Sequence, residues 1–157
     1  MNSKAVSETM LALLLICIAT MIARATPLTD SNHTISHIGD LIIDGDQTFT
    51  IENCTYIQTG NIYVKENGVL IIQNAELVMN MSKDWQYNIY IYDTGRLIVN
   101  NSNVSTSILF DINFFDRSSG DLTNSLIGGG WGRLGYVCLE IMPRSLSDIS
   151  IKNCSVY

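Results

Sequence analysis

Positive charge and imidazole are scarce in this sequence: nine Lys and Arg stand against fifteen Asp and Glu, with two His, among 157 residues. That shortage argues against nucleic acid or anionic lipid as a partner, because both need clustered cations. With histidine only at His33 and His37, no Ser-His-Asp arrangement can be assembled, and no His and Cys set offers a metal or cofactor site. Proline is confined to Pro27 and Pro143 and charged side chains make up 15% of the chain, while 46% is apolar, which excludes a disordered or collagen-like composition and predicts one folded domain. Cysteine is too sparse and too unevenly placed for a disulfide scaffold: of the four, Cys17 lies in the leading apolar run, leaving Cys54, Cys138 and Cys154, an odd number.

The only long apolar run, Met10 to Ile22, follows Lys4 and is closed by Ala23-Arg24-Ala25, a small-x-small cleavage pattern. Residues 1–25 therefore read as a helical signal peptide, too short for an ordinary span of about 20 residues, with an uncleaved anchor whose Arg24 sits at the interface as the alternative. Ile16 before Cys17 is too bulky for a lipoprotein signal. Cleavage removes Lys4, Arg24 and Glu8 and leaves seven basic against fourteen acidic residues, a formal charge of −7. The mature chain is expected to be secreted or displayed at the cell surface, without a membrane span.

What the sequence does have is a repeat. Ile62-Tyr-Val-Lys-Glu-Asn-Gly-Val-Leu-Ile-Ile-Gln-Asn74-Ala75 aligns without a gap on Ile89-Tyr-Ile-Tyr-Asp-Thr-Gly-Arg-Leu-Ile-Val-Asn-Asn101-Ser102 at an offset of 27 residues. The same template, moved back by 21, falls on Leu41 to Cys54, and weaker copies end at Asn124-Ser125 and Asn153-Cys154. Each copy reads as a short apolar strand, a polar turn often carrying glycine (Gly45, Gly68, Gly95), a second strand, and Asn followed by a small residue. No helix fits between the strands, so each copy can pair only with the next, in parallel, as a coil. The crossover rule makes that coil right-handed. Asn53, Asn74, Asn101, Asn124 and Asn153 then stack about 4.8 Å apart as a structural ladder of carboxamides.

On the glycine turn and the Ile-x-Asn-small bend, the chain resembles the right-handed parallel β-helix repeat proteins, particularly exported ones displayed at cell surfaces. The resemblance covers about residues 40–157 and implies an all-β solenoid of about five coils, with residues 26–39 as a leader or N-terminal cap. Nothing caps the strand pattern at Ser155-Val-Tyr157, which predicts a β-helix incomplete at that end, extended by further coils or met by a partner. The family spans polysaccharide lyases and hydrolases, adhesins and envelope proteins, so it leaves the activity open.

A noncatalytic secreted or cell-surface module is the leading expectation, contacting carbohydrate or envelope components through loops that carry the two tryptophans. These are Trp85 within Met81–Asn88 and Trp131 within Ile127–Arg133. The rival is a polysaccharide-active enzyme, lyase or glycoside hydrolase, using Asp93, Asp111 and Asp116. Asp93 and Asp116 share a template position. Calcium has no Gly-Gly-x-Gly-x-Asp repeat to hold it. Glycosylation sequons occur at Asn32, Asn53, Asn80, Asn100, Asn103 and Asn153; Asn32 and Asn80 are the expected acceptors, the ladder residues Asn53 and Asn153 being expected to be inaccessible after folding. Cys54 and Cys154, four coils apart, would stand about 19 Å from each other and should not pair. Cys138 with Cys154 stays open, and buried filler is the expected role of all three.

Overall fold

Alternation of buried β-branched and outward side chains, with a period of two, decides the fold coil by coil. In the computed structural model, which describes residues 33–129, 138–141 and 146–156, every element among the described residues is a strand. The first coil contributes β1 (Thr34–Ile38), β2 (Leu41–Ile43) and β3 (Thr48–Glu52). The second has β4 (Thr55–Thr59), β5 (Ile62–Val64) and β6 (Val69–Gln73). The third has β7 (Glu76–Met79), β8 (Ile89–Ile91) and β9 (Arg96–Asn100), and the fourth β10 (Asn103–Thr106), β11 (Asp111–Phe114) and β12 (Ser119–Thr123). Then come β13 (Leu126–Gly129), β14 (Cys138–Ile141), β15 (Asp148–Lys152) and β16 (Ser155–Val156).

Every third strand pairs in parallel, giving three sheets ordered β1-β4-β7-β10-β13-β16, β2-β5-β8-β11-β14 and β3-β6-β9-β12-β15. This is a parallel β-solenoid, the fold that the repeat predicts. The register columns repeat the sequence offsets: Thr34, Thr55, Glu76, Asn103, Leu126 and Ser155 stand one above another. Four full turns run from Thr34 to Leu126 through described residues. The signal segment, Asn32 and Trp131 fall outside the described residues. The leader's Thr34–Ile38 is itself a strand, paired along its length with β4.

The sequence reading gave two strands per repeat, and the structure has three. The missed sheet runs along β1, β4, β7, β10, β13 and β16, where Thr, Glu, Asn, Ser and Gly occupy many of the positions between the inward side chains, so the strands share no common apolar pattern. One inward row is nevertheless apolar, with Tyr56, Leu77, Val104 and Ile127 buried, while the other buries Gln58, Met79 and Thr106. Ile127, assigned from the sequence to a loop around Trp131, is thus a core residue of β13.

The core is a stack of matched rows: Ile62-Ile89-Ile112, Ile43-Val64-Ile91-Phe114 and Ile51-Ile72-Val99-Leu122 are all at most 1% exposed. Each such side chain contributes about 1.5–3 kcal/mol by leaving water. In the last coil Ile151, paired with Leu122, is 45% exposed, so the row is open at that edge.

The five asparagines all take left-handed backbone angles, φ from 48° to 52°, at the same corner. Asn tolerates that region better than other residues with a side chain, which is why turn preference acquires a phase here. Side-chain bonds join Asn101 Nδ2 to Asn74 Oδ1 (3.5 Å) and Asn153 Nδ2 to Asn124 Oδ1 (3.2 Å). Behind them, the Ser102 hydroxyl accepts from the Ala75 amide and that of Ser125 from the Ser102 amide, so the small residues also link coils. Cys54 is buried in this column and Cys154 half-buried, both as free thiols. Asn101→Gly should keep stability within about 0.5 kcal/mol, whereas Asn101→Ala should lose about 1–2 kcal/mol by putting Cβ into the disfavoured region without the carboxamide. Urea midpoints of the two variants distinguish this corner from a ladder held by the side chain alone, for which both would fall equally.

The glycine turn holds two different glycines. Gly45 sits at φ 59°, the corner position that Glu66, Asp93 and Asp116 occupy in later coils. Gly68 and Gly95 lie two residues further on, pressed against the coil before: a Cβ on Gly95 would stand 2.8 Å from the Val64 carbonyl oxygen, and one on Gly68 2.5 Å from that of Ile43. These contacts are backbone and cannot rotate away. Gly68→Ala is expected to lower the thermal midpoint, with a loss of about 1–3 kcal/mol; an unchanged midpoint would refute the close approach.

Candidate functional site

The sheet formed by β2, β5, β8, β11 and β14 carries the most distinctive outer surface among the described residues. Ile89-Tyr90-Ile91-Tyr92 buries its isoleucines and turns both tyrosines outward, as strand alternation requires. Tyr63 of the preceding coil stacks on Tyr90 with ring centroids 5.3 Å apart and planes 10° from parallel. Tyr90 lies 6.1 Å from Tyr92, which stacks on Phe115 of the next coil at 4.8 Å and 9°. Four half-buried rings over three coils thus make one patch. Because the rings face one another along the solenoid, the patch presents mainly edges and phenol groups. Burial, then the Asp40 carboxylate and the Tyr90 ring, raises the Tyr63 phenol above its ordinary pKa. Burial also raises Tyr92, followed by Tyr90, Tyr63 and the Asp116 carboxylate. Carboxylates therefore flank the patch at both ends.

The sequence reading missed this patch. Its signal in the sequence is the Tyr that repeats after Ile62 and Ile89.

At one end of the patch stands the Trp85 loop, an insertion into the third coil. Its backbone is tied to the following coil: the Trp85 amide donates to the Leu109 carbonyl at 2.8 Å, and the Leu109 amide donates to Asp84 Oδ1 at 3.2 Å. Ser82 donates through its amide to Gln86 Oε1, bracing the loop across its base. Asn88, 7% exposed, donates from Nδ2 to the Trp85 carbonyl and the Tyr90 hydroxyl, which joins loop to patch. Trp85 itself is 53% exposed and sits at φ 54°, a left-handed conformation that is unusual for a bulky residue. Its side chain does not fold back under the coil.

At the other end is the acidic corner. Glu66, Asp93 and Asp116 occupy one stacked column at φ 54° to 56°. Asp93 Oδ2 accepts from the Glu66 amide at 3.1 Å, and Asp116 Oδ2 accepts from the Asp93 amide at 3.3 Å. One oxygen of each of the two aspartates thereby bonds the backbone of the coil before it. A pocket of about 640 Å³ opens here, lined by Asp93, Thr94, Asp116, Arg117 and Leu146.

Asp93 and Asp116 therefore meet, as their shared template position required. Asp111 does not join them. It begins β11 at the Trp85 end, where its amide donates to Asn88 Oδ1 at 2.8 Å, and five residues of extended chain put it about 16 Å from Asp116. It belongs instead to a corner column with Asp40, Asn61 and Asn88, whose side-chain oxygens each accept the amide of the next coil.

Of the sequons, Asn80 and Asn103 are exposed, Asn100 is half-buried, and Asn80 Nδ2 donates to Thr59 Oγ1 at 3.0 Å. Asn53 is half-buried and Asn153 exposed. His33 is exposed, and His37 Nδ1 lies 3.1 Å from Oε1 of the fully buried Gln58. No group of three or more His, Cys, Asp or Glu among the described residues is placed to hold a metal ion. No described helix is long and apolar enough to cross a membrane. Comparison with known proteins returns no matching family model, no matching curated protein and no matching solved structure.

Proposed function

We propose that this chain is a noncatalytic secreted or cell-surface β-solenoid module that contacts carbohydrate through the Trp85 loop and the adjoining tyrosine face. The observation that carries this reading is Trp85. An indole more than half exposed, in a backbone conformation that costs free energy, gives the fold little in return. Its loop is nonetheless fixed by backbone and side-chain bonds, so the backbone that presents the ring is set before any ligand arrives. An exposed indole face stacks well on the apolar face of a pyranose, and the nearby phenols can bond its hydroxyls. Export rests on the sequence of residues 1–25. Trp131, the second tryptophan assigned a binding role, remains part of the proposal from sequence.

A second reading has one specific support. Asp93 and Asp116 are on adjacent coils, about 4.8 Å apart at Cα level, close to the roughly 5 Å between carboxyl groups that retaining glycosidases use. Against it, both carboxylates have a backbone role at a turn. Glycan-array binding that disappears in Trp85→Ala, with no reducing sugar released from a polysaccharide panel, supports the binding module. Release that is lost in Asp93→Ala or Asp116→Ala would replace it with the enzyme.

A further inference from the structure

Leu126, 39% exposed, stands beside Asn103 in the outer row of the sheet formed by β1, β4, β7, β10, β13 and β16. Asn103 opens the sequon Asn103-Val104-Ser105, which was not among the acceptors expected from sequence. In the fold its side chain is exposed and makes no hydrogen bond to any described residue, while its backbone amide is tied to the Ala75 carbonyl at 2.9 Å. The other described sequons differ. Asn80 Nδ2 donates to Thr59 Oγ1 and Asn153 Nδ2 to Asn124 Oδ1, whereas Asn53 and Asn100 are half-buried. A glycan on Asn103 therefore displaces neither a bond nor a packed side chain. On the side of Glu76, its other register partner, a groove of about 250 Å³ runs to the asparagine corner, lined by Thr55, Asn74, Glu76, Asn101, Ser102 and Asn103 itself. A sugar joined to Asn103 thus has carboxamides and hydroxyls on one side for its polar groups, and an exposed leucine on the other for its apolar face.

Resting on the export reading above, we infer that Asn103 is an N-glycosylation site whose first sugar packs against this face of the solenoid. The transfer is a displacement at the sugar's anomeric carbon. Asn103 Nδ2 gives up one proton and forms the N-glycosidic bond, the bond from that carbon to the pyrophosphate of a lipid-linked oligosaccharide breaks, and the lipid pyrophosphate leaves. The host's transferase acts on the extended chain, before Ser105 Oγ is engaged with Glu76 Oε1 at 3.2 Å, and the fold then decides whether the product is tolerated. At Asn103 it is tolerated, because the modified nitrogen faces outward and had no partner among the described residues to lose.

The test is expression of the full chain in an N-glycosylating eukaryotic host, once with its own leader and once with residues 1–25 exchanged for a signal that the host is known to use. Peptide mass spectrometry of the secreted, folded protein should find Asn103 occupied, and Asn103→Gln should remove one glycan. That variant should unfold about 2–4 °C lower, while protein trimmed by an endoglycosidase to a single N-acetylhexosamine should keep the midpoint of the untrimmed form. Asn103 empty in the secreted protein, or occupied only in aggregated and unsecreted chains, overturns the site. Equal midpoints with and without the glycan overturn the packing against this face. Secretion of only the second version removes the export reading, and with it the natural occasion for the modification, whatever occupancy that version shows.

Discussion

Phe114→Ala should be the most damaging single substitution in the solenoid, lowering the unfolding free energy by about 3–5 kcal/mol in urea titration. Phe114 is fully buried and stacks on Ile91, in a row whose earlier members are Ile43, Val64 and Ile91. The larger ring is accommodated by a matching deletion. Gly120 stands in the row where earlier coils have Phe49, Leu70 and Leu97, and a Cβ there would lie 2.7 Å from Phe114 Cζ. One coil has therefore exchanged a large and a medium residue for a very large one and none.

A double-mutant cycle makes the exchange measurable. Phe114→Ile leaves a cavity above Gly120, and Gly120→Leu drives a side chain into the ring; each should lose about 1–3 kcal/mol. Combined, they rebuild the pairing of the third coil, and the double variant should be more stable than the worse single one, with a coupling energy near the upper end of the about 0.5–3 kcal/mol seen for contacting residues. Additive losses would mean that the two positions do not share a space. Because a domain of this size is stable by only about 5–15 kcal/mol, Phe114→Ala alone removes a large share of that margin.

This exchange also shows what a sequence comparison can and cannot see in a solenoid. The asparagine column was legible because one backbone conformation recurs at one corner of every coil, and few residues other than glycine accept it. Five repetitions in phase cannot come from local turn preference. The third strand of each coil was not legible, since Thr55–Thr59, Glu76–Met79 and Asn103–Thr106 share an inward apolar position but little else. Sheet pairing there is set by neighbours already in register. The tyrosine face was hidden for a related reason: Tyr63, Tyr90, Tyr92 and Phe115 are far apart or differently spaced in the chain, and only coil stacking brings them together. Asp93 and Asp116 could be paired from the template alone, but the same template also puts Asp111 near the opposite end of its strand, where it cannot act with them. The alternative uses of Trp85, as cover for the coil or as a projecting group, depend on loop conformation, which no periodicity encodes.

Trp85 should separate stability from binding. A non-glycine residue in the left-handed region costs about 1–2 kcal/mol, and at φ 54° Trp85 bears that cost with its side chain 53% exposed. Trp85→Asn puts a residue suited to that conformation at the same place without glycine's extra freedom in the unfolded chain. It should leave stability unchanged or raise it by up to about 1 kcal/mol. The Trp85 amide's bond to Leu109 is backbone and survives the substitution. Glycan affinity should fall by at least about tenfold, a loss of about 1.4 kcal/mol, because the stacking face is gone while the tyrosine edges remain. If the indole served the fold instead, truncating it would lower stability by the about 3–5 kcal/mol typical of a buried Trp and leave any binding through other groups intact. Thermal midpoint and affinity moving in opposite directions is the signature of a side chain held in a strained position for a ligand, and the two measurements on one variant decide between these roles.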